Sequence, residues 1–290
     1  MAKKKGRKPP QELLELFEEL TLRDNSFMTL FFTDNLEATE LVLNIILDRN
    51  DLHVMKVEVQ KTMKSPMKGG RDIILDVYAE DSEGKHYDIE IQNDSSGASP
   101  QRARMHSCRL DSRMLKSRED FKEMKESFVI FITEKDVIGK GYPVYHVDRC
   151  IKELGNMDFK DGNHIIYVNG SFLDETTPVG RLMKDFGCSK SADMFYDVLK
   201  KGMSHFKDTE EGVIKVCDKL EMYANKREEE GEARGEARGR AEGEAKGEAT
   251  AKRENAKRMI ASGKLTLEDV SLFSDLPFSE VIELANRKTD

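Results

Sequence analysis

The chain has 290 residues, 38% of them hydrophobic and 35% charged, with a formal net charge of −8; that length holds one sizeable core with an appendage, or two small domains. No apolar run approaches the ~20 residues of a membrane-spanning helix, and no signal-type apolar segment follows the basic start MAKKKGRKPP. Cys108, Cys150, Cys188 and Cys217 stand far apart with no CxxC pair, which argues against a disulfide framework or a zinc site and for a cytoplasmic protein with reduced thiols and no membrane contact.

Residues 1–21 read as a basic, proline-ended arm followed by a short helix-prone stretch, Leu13–Leu20. TDNLEATELVLNIIL then has the spacing of an amphipathic helix, with Asp34 or Asn35 as its N-cap. On that helix Glu37 lies mid-way across the polar face and Glu40 at the edge of the apolar stripe. HVMKVEVQ alternates as a strand and KSPMKGG reads as a loop. A hairpin, DIILDVYAEDSEGKHYDIEIQ, follows. SPQRARMHSCRLDSRML carries a strong helix start, Ser99 as N-cap and Pro100 at the first helical position. SFVIFIT suits a buried strand, and GYPVYHV and NHIIYVNG are further strands. The order helix, three strands, helix, strand predicts a mixed α/β core in which a three-stranded meander is backed by helices. The core extends over residues 22–225.

Composition changes abruptly near Arg227. GEARGEARGRAEGEAKGEA repeats every four residues. Glu–Arg pairs favour a helix, but each Gly costs ~1 kcal/mol relative to Ala. Residues 226–250 are therefore expected to be a solvated helix or a linker. Residues 251–290 carry three short helix signals with Thr266 and Ser279 as candidate caps. They form either a helix-turn-helix-like unit or a helical tail through which the chain makes a homo-oligomer.

The hairpin poses the functional question. One burial direction requires Ile73, Leu75, Val77 and Ala79 to match Tyr87, Ile89 and Ile91. The register Leu75–Ile91, Val77–Ile89, Ala79–Tyr87 achieves this, with a loop over Asp81–Lys85 and Gly84 in a left-handed position. It also sets Asp76 opposite Glu90, with Gln92 two residues on and Asp88 on the same acidic face. Opposed side chains lie ~5 Å apart at Cβ, so two like charges there need compensation. A divalent cation such as Mg²⁺ or Mn²⁺ is the simplest compensation, with the Ile91 backbone carbonyl as a further ligand. The other reading of the residues alone is the solvated face of an edge hairpin.

Asp76 followed by Glu90-Ile91-Gln92, on a hairpin within this element order, resembles the PD-(D/E)XK nuclease superfamily. LDVYAEDSEGKHYDIEIQ with SPQRARMHSCRLDSRML and SFVIFIT is similar, more closely, to the recombination-promoting nuclease and transposase family, over about residues 22–225. The resemblance implies a restriction-endonuclease-like α/β core with a helical C-terminal tail. It implies a metal-dependent DNA endonuclease linked to recombination or mobile elements. Asp76 and Glu90 match the metal-binding acids, and Gln92 stands where the superfamily has lysine. Glu40 is the candidate for an extra acid on the first helix, with Glu37 as runner-up. Arg102, His106, Arg109 and Arg113, spaced by four, three and four, form a basic stripe suited to a DNA backbone. Gln92 brings no positive charge, so a lysine or arginine from elsewhere, slow turnover, or a binding module without catalysis all fit.

Overall fold

The computed structural model describes residues 11–93 and 95–286; the basic arm of residues 1–10 lies outside the described residues. Its first unit runs to Glu221. It opens with three helices, α1 (Gln11–Glu19), α2 (Asn25–Phe32) and α3 (Leu36–Ile46). The Asn35 side chain caps α3 by accepting from the Ala38 N–H at 3.1 Å, which decides between the two expected caps. Three antiparallel strands follow, β1 (Val54–Met63), β2 (Ile73–Asp81) and β3 (His86–Gln92). Next comes α4 (Pro100–Asp111), capped by Ser99, whose side chain accepts from the Arg102 N–H at 3.2 Å.

The strands β4 (Ser127–Thr133), β5 (Val144–Val147), β6 (Cys150–Ile151), β7 (Met157–Asp158) and β8 (Asn163–Asn169) complete two sheets. The larger has the order β1-β2-β3-β4-β8-β5, and β6 pairs with β7 apart from it. β3–β4 and β4–β8 are parallel, whereas the other pairs of the large sheet are antiparallel. Helices α5 (Pro178–Gly187) and α6 (Asp197–Lys207) follow. Together with α2 and α3 they bury Phe27, Phe31, Val42, Phe186 and Met203 on one face of the sheet. α4 covers the other face, packing Ala103 and Leu110 against Val129, Phe131 and Tyr167. The alternation of β4 explains both contacts: Ile130 and Ile132 join the first cluster, Val129 and Phe131 the second.

β2 departs from simple alternation. Val77 and Ala79 pack with the α2–α3 side, but Ile73 and Leu75 pack with the α4 side. The expectation that all four share a face is therefore corrected. β1 changes in the same place, with Val57 on the first side and Met63 on the second. The pleat reverses where Gln60 takes φ +51°, a left-handed conformation inside a strand. In the ladder register, with Val59 opposite Val77 and Lys61 opposite Leu75, Gln60 faces Asp76.

The 53-residue helix α7 (Glu210–Ser262) contains the four-residue repeat, and the boundary between the two units falls within it. The second unit also holds α8 (Leu267–Ser274) and α9 (Phe278–Asn286). Thr266 and Asp269 form a capping box on α8. Ser279 lies inside α9, which starts one residue earlier, after Pro277. Ala256, Val270, Leu276 and Val281 make this unit's own small core.

Candidate active site

The β2–β3 ladder runs from Glu80–His86 to Val77–Ile89 and stops there, so the expected continuation to Leu75–Ile91 is not part of it. Beyond that point carboxylates take over from main-chain carbonyls. The Ile91 N–H donates to Asp76 Oδ2 at 3.2 Å, and the Asp76 N–H donates to Glu90 Oε1 at 3.0 Å. The pleat reversal at Gln60 accompanies this splay, and Gln60 Nε2 donates to Asp76 Oδ1 at 3.1 Å. Asp76 and Glu90 thus meet through each other's strand rather than as a regular cross-strand pair. Asp76 opens onto a cavity of about 720 Å³, lined also by Asn25, Gln60, Arg71, Arg102 and His106.

β3 is buried on both faces because helices cover both sides of the sheet, so its acidic face is not a solvated one. Asp88 and Glu90 are fully buried and Asp76 nearly so. α4 supplies their partners. Arg102 Nη2 donates to Glu90 Oε2 at 2.7 Å and Nη1 donates to Gln92 Oε1 at 3.2 Å. His106 Nδ1 lies 2.8 Å from Asp88 Oδ2. Arg102 Nε donates to His106 Nε2 at 3.4 Å, which leaves the ring proton on Nδ1, donated to Asp88. Burial, opposed by Glu90, holds the His106 pKa below its ordinary value, consistent with a neutral ring. Gly97 lets Gln92 approach: a Cβ there would overlap Gln92 Oε1.

The cluster is strongly charged for its burial. Burial raises the Asp76 carboxyl pKa above its ordinary value. Burial first, then Asp76, pushes Asp88 well above its own. Glu90 is pushed up to about 9 by burial and by the charges of Asp88 and Asp76, with the Arg102 guanidinium in contact opposing them. With His106 neutral, ionising all three carboxylates would set them against one guanidinium and leave two negative charges uncompensated, which is why the cluster favours holding protons. Asp88 Oδ1 is buried with no hydrogen-bond partner among the described residues, at a cost that such a carboxylate meets only through a proton, a water or a cation.

Asp88, Glu90 and His106 offer ligand atoms within 4.8 Å of one another. Both His106 nitrogens are already engaged, so within this group the atoms left for a metal are the carboxylate oxygens of Asp88 and Glu90. Hard carboxylate oxygens suit Mg²⁺ or Mn²⁺.

The other expected residues fall differently. Glu40 caps the start of β1, its Oε2 accepting from the Val54 N–H at 2.9 Å, and it does not line the cavity. Glu37 is exposed in the first turn of α3. Of the expected stripe, His106 is 2% exposed and Arg109 9%, whereas Arg102 is half-buried and Arg113, just past the end of α4, is exposed. Arg109 donates to the carbonyls of Lys64 at 3.3 Å and Arg71 at 3.4 Å, and Arg113 to that of Lys64 at 3.1 Å. A helical wheel ranks such a face as polar, hence outward. Here it turns inward because buried carboxylates and loop carbonyls accept its donors. Sequence reasoning gave no role to Asp88, although its position two before Glu90 on one strand face marks it. Gln60 and Asn25 carried no signal.

The family model for PD-(D/E)XK nuclease family transposases matches residues 21–237. Among curated proteins and among solved structures no match was found. No helix among the described residues is long and apolar enough to cross a membrane.

Proposed function

The chain belongs to the PD-(D/E)XK nuclease family transposases, and on that premise we propose that it is a divalent-metal-dependent DNA endonuclease serving recombination or mobile-element movement. The observation that carries the reading is the buried trio Asp76, Asp88 and Glu90, of which Asp76 lines the cavity, with one guanidinium against three carboxyl groups and Asp88 Oδ1 without a partner among the described residues. These oxygens would hold Mg²⁺ or Mn²⁺, with the Ile91 carbonyl as a further ligand. When bound, the cation supplies Lewis-acid polarisation of a phosphoryl oxygen and lowers the pKa of water.

The chain's own groups do the rest. Gln92 is fixed between Arg102 Nη1 and Glu90 Oε2, so its amide can orient a water or a phosphate oxygen but adds no charge. Arg102 supplies the permanent positive charge that Gln92 lacks, at the cavity wall where negative charge develops on the phosphate. His106 holds a proton on Nδ1 against Asp88 Oδ2 and so leaves Oδ1 free.

A second reading, a DNA- or protein-binding module with weak or no turnover, is favoured by one observation. Arg102 already neutralises Glu90 at 2.7 Å, as a bound cation would. Cleavage of supercoiled plasmid separates the two. The endonuclease nicks it with Mg²⁺ or Mn²⁺ and not in EDTA. Asp76→Ala and Glu90→Ala abolish nicking while the proteins stay folded, and Arg102→Ala slows it by about 10²-fold, the usual cost of losing one charge-stabilising donor. Full activity in Asp76→Ala refutes the assignment. No nicking by folded wild type with either metal supports the binding module.

A further inference from the structure

The cluster is acidic and its proposed substrate is a polyanion, so a positive surface must bring the two together. The basic stripe of α4 is largely engaged elsewhere: Arg102 is held by Glu90, His106 is buried against Asp88, and Arg109 and Arg113 donate to the loop between β1 and β2, which leaves Arg104 as the one exposed α4 arginine outside these contacts.

That loop, residues 64–72, is built as a fixed object. Guanidinium donors grip the carbonyls of Lys64 and Arg71, near its two ends. Ser65 N–H donates to Asp72 Oδ1 at 2.6 Å, closing the loop across its base. Gly69 takes φ +75°, and a Cβ on Gly70 would overlap the Ser65 hydroxyl, so the chain folds tightly on itself. Lys64, Lys68 and Arg71 stand exposed on it. Among the described residues none of the three enters a salt bridge. The one acid of the loop, Asp72, is occupied by the Ser65 N–H. Arg71 and Asp72 line the same cavity as Asp76.

We propose that the β1–β2 loop is the DNA-backbone grip of this protein, with Lys64, Lys68 and Arg71 contacting phosphates beside the cavity. This rests on the endonuclease reading and moves the DNA contact from the α4 stripe to the loop that the stripe holds. The loop is positioned before DNA arrives, so little ordering cost falls on binding. Phosphate contacts of this kind set register without reading sequence.

The test is fluorescence anisotropy of a labelled DNA duplex in EDTA, over a range of salt, beside plasmid nicking by the same proteins with Mn²⁺. Wild type, Lys68→Glu and the triple variant K64A/K68A/R71A are compared; Lys68 is exposed, so the single change leaves the fold intact. The triple variant should bind roughly tenfold or more weakly near 0.1 M salt and lose about two to three units of the log–log salt slope, since each phosphate contact contributes about 0.9. Lys68→Glu should shift both in the same direction by less. Where binding in EDTA is too weak to read, the KM of nicking replaces it and should rise in the same order. Unchanged affinity, slope and KM in both variants, beside a wild type that binds or cuts, overturn the loop grip alone. A wild type that neither binds DNA nor cuts it overturns the endonuclease reading and the grip with it.

Discussion

At the residue scale, Asp88 shows most clearly what the site costs the fold. It is fully buried, its Oδ2 faces the His106 ring and its Oδ1 has no hydrogen-bond partner among the described residues. Its pKa lies well above the ordinary 3.8 because burial and Asp76 disfavour the anion. The folded state therefore binds this proton more tightly than the unfolded state does. Below the ordinary value both states are protonated and there is no penalty. Above it the unfolded chain ionises first, so metal-free stability falls as pH rises towards the folded pKa. Asp88→Asn keeps the shape and an acceptor for His106 but cannot ionise. It should melt at a higher temperature than wild type without metal, with the gap widening from about pH 4 through neutrality. A gap that stays flat with pH would mean that Asp88 carries no shifted proton.

At the element scale, α4 is the part on which the site depends, since it delivers Arg102 and His106 to the carboxylates Glu90 and Asp88 of β3. It is pinned at its far end by a buried polar knot. Asn163 of β8 donates from Nδ2 to Ser107 at 2.6 Å, Asp111 at 3.0 Å and Ser127 at 3.0 Å. Asn163→Ala should destabilise the protein by about 1–3 kcal/mol in denaturant unfolding, the cost of leaving buried partners unsatisfied, and should depress nicking by loosening α4. An unchanged midpoint would show that the knot does not anchor the helix. Much of this layer was readable in advance. Asn35, Ser99 and Thr266 cap as their residue types require, and the Val77–Ile89 register follows from matching apolar sets. The pleat reversal was not readable, because a left-handed Gln60 within a strand carries no mark in the residue pattern. Nor was the inward turn of Arg109 and His106. Their burial depends on acceptors in segments remote in sequence, which a single-helix periodicity cannot contain.

At the scale of the whole molecule, the two units differ in what holds them together. The first has two apolar clusters either side of a six-stranded sheet. Among the described residues of the α7 repeat, none joins an apolar cluster. Gly231, Gly235, Gly239, Gly243 and Gly247 are helical positions where a Cβ would meet nothing within 4 Å. Replacing all five by Ala should raise the thermal midpoint of the helical signal from this segment, by up to ~1 kcal/mol of helix stability per site. Nicking should be unchanged. No gain in helical stability would show that the segment is not a helix in solution. The central claim is that the carboxylates of β2 and β3 are a divalent-cation site, and calorimetric titration of the metal-free protein with Mn²⁺ near pH 7, in two buffers of different ionisation heat, tests it most directly. The cluster holds protons at that pH because its carboxyl pKa values are raised, Glu90 to about 9, and a metal must displace them. The predicted result is saturable binding with net proton release, affinity rising with pH, and loss of the signal in Asp76→Ala and Glu90→Ala. Absence of saturable binding, or binding that releases no protons and survives both substitutions, would contradict it.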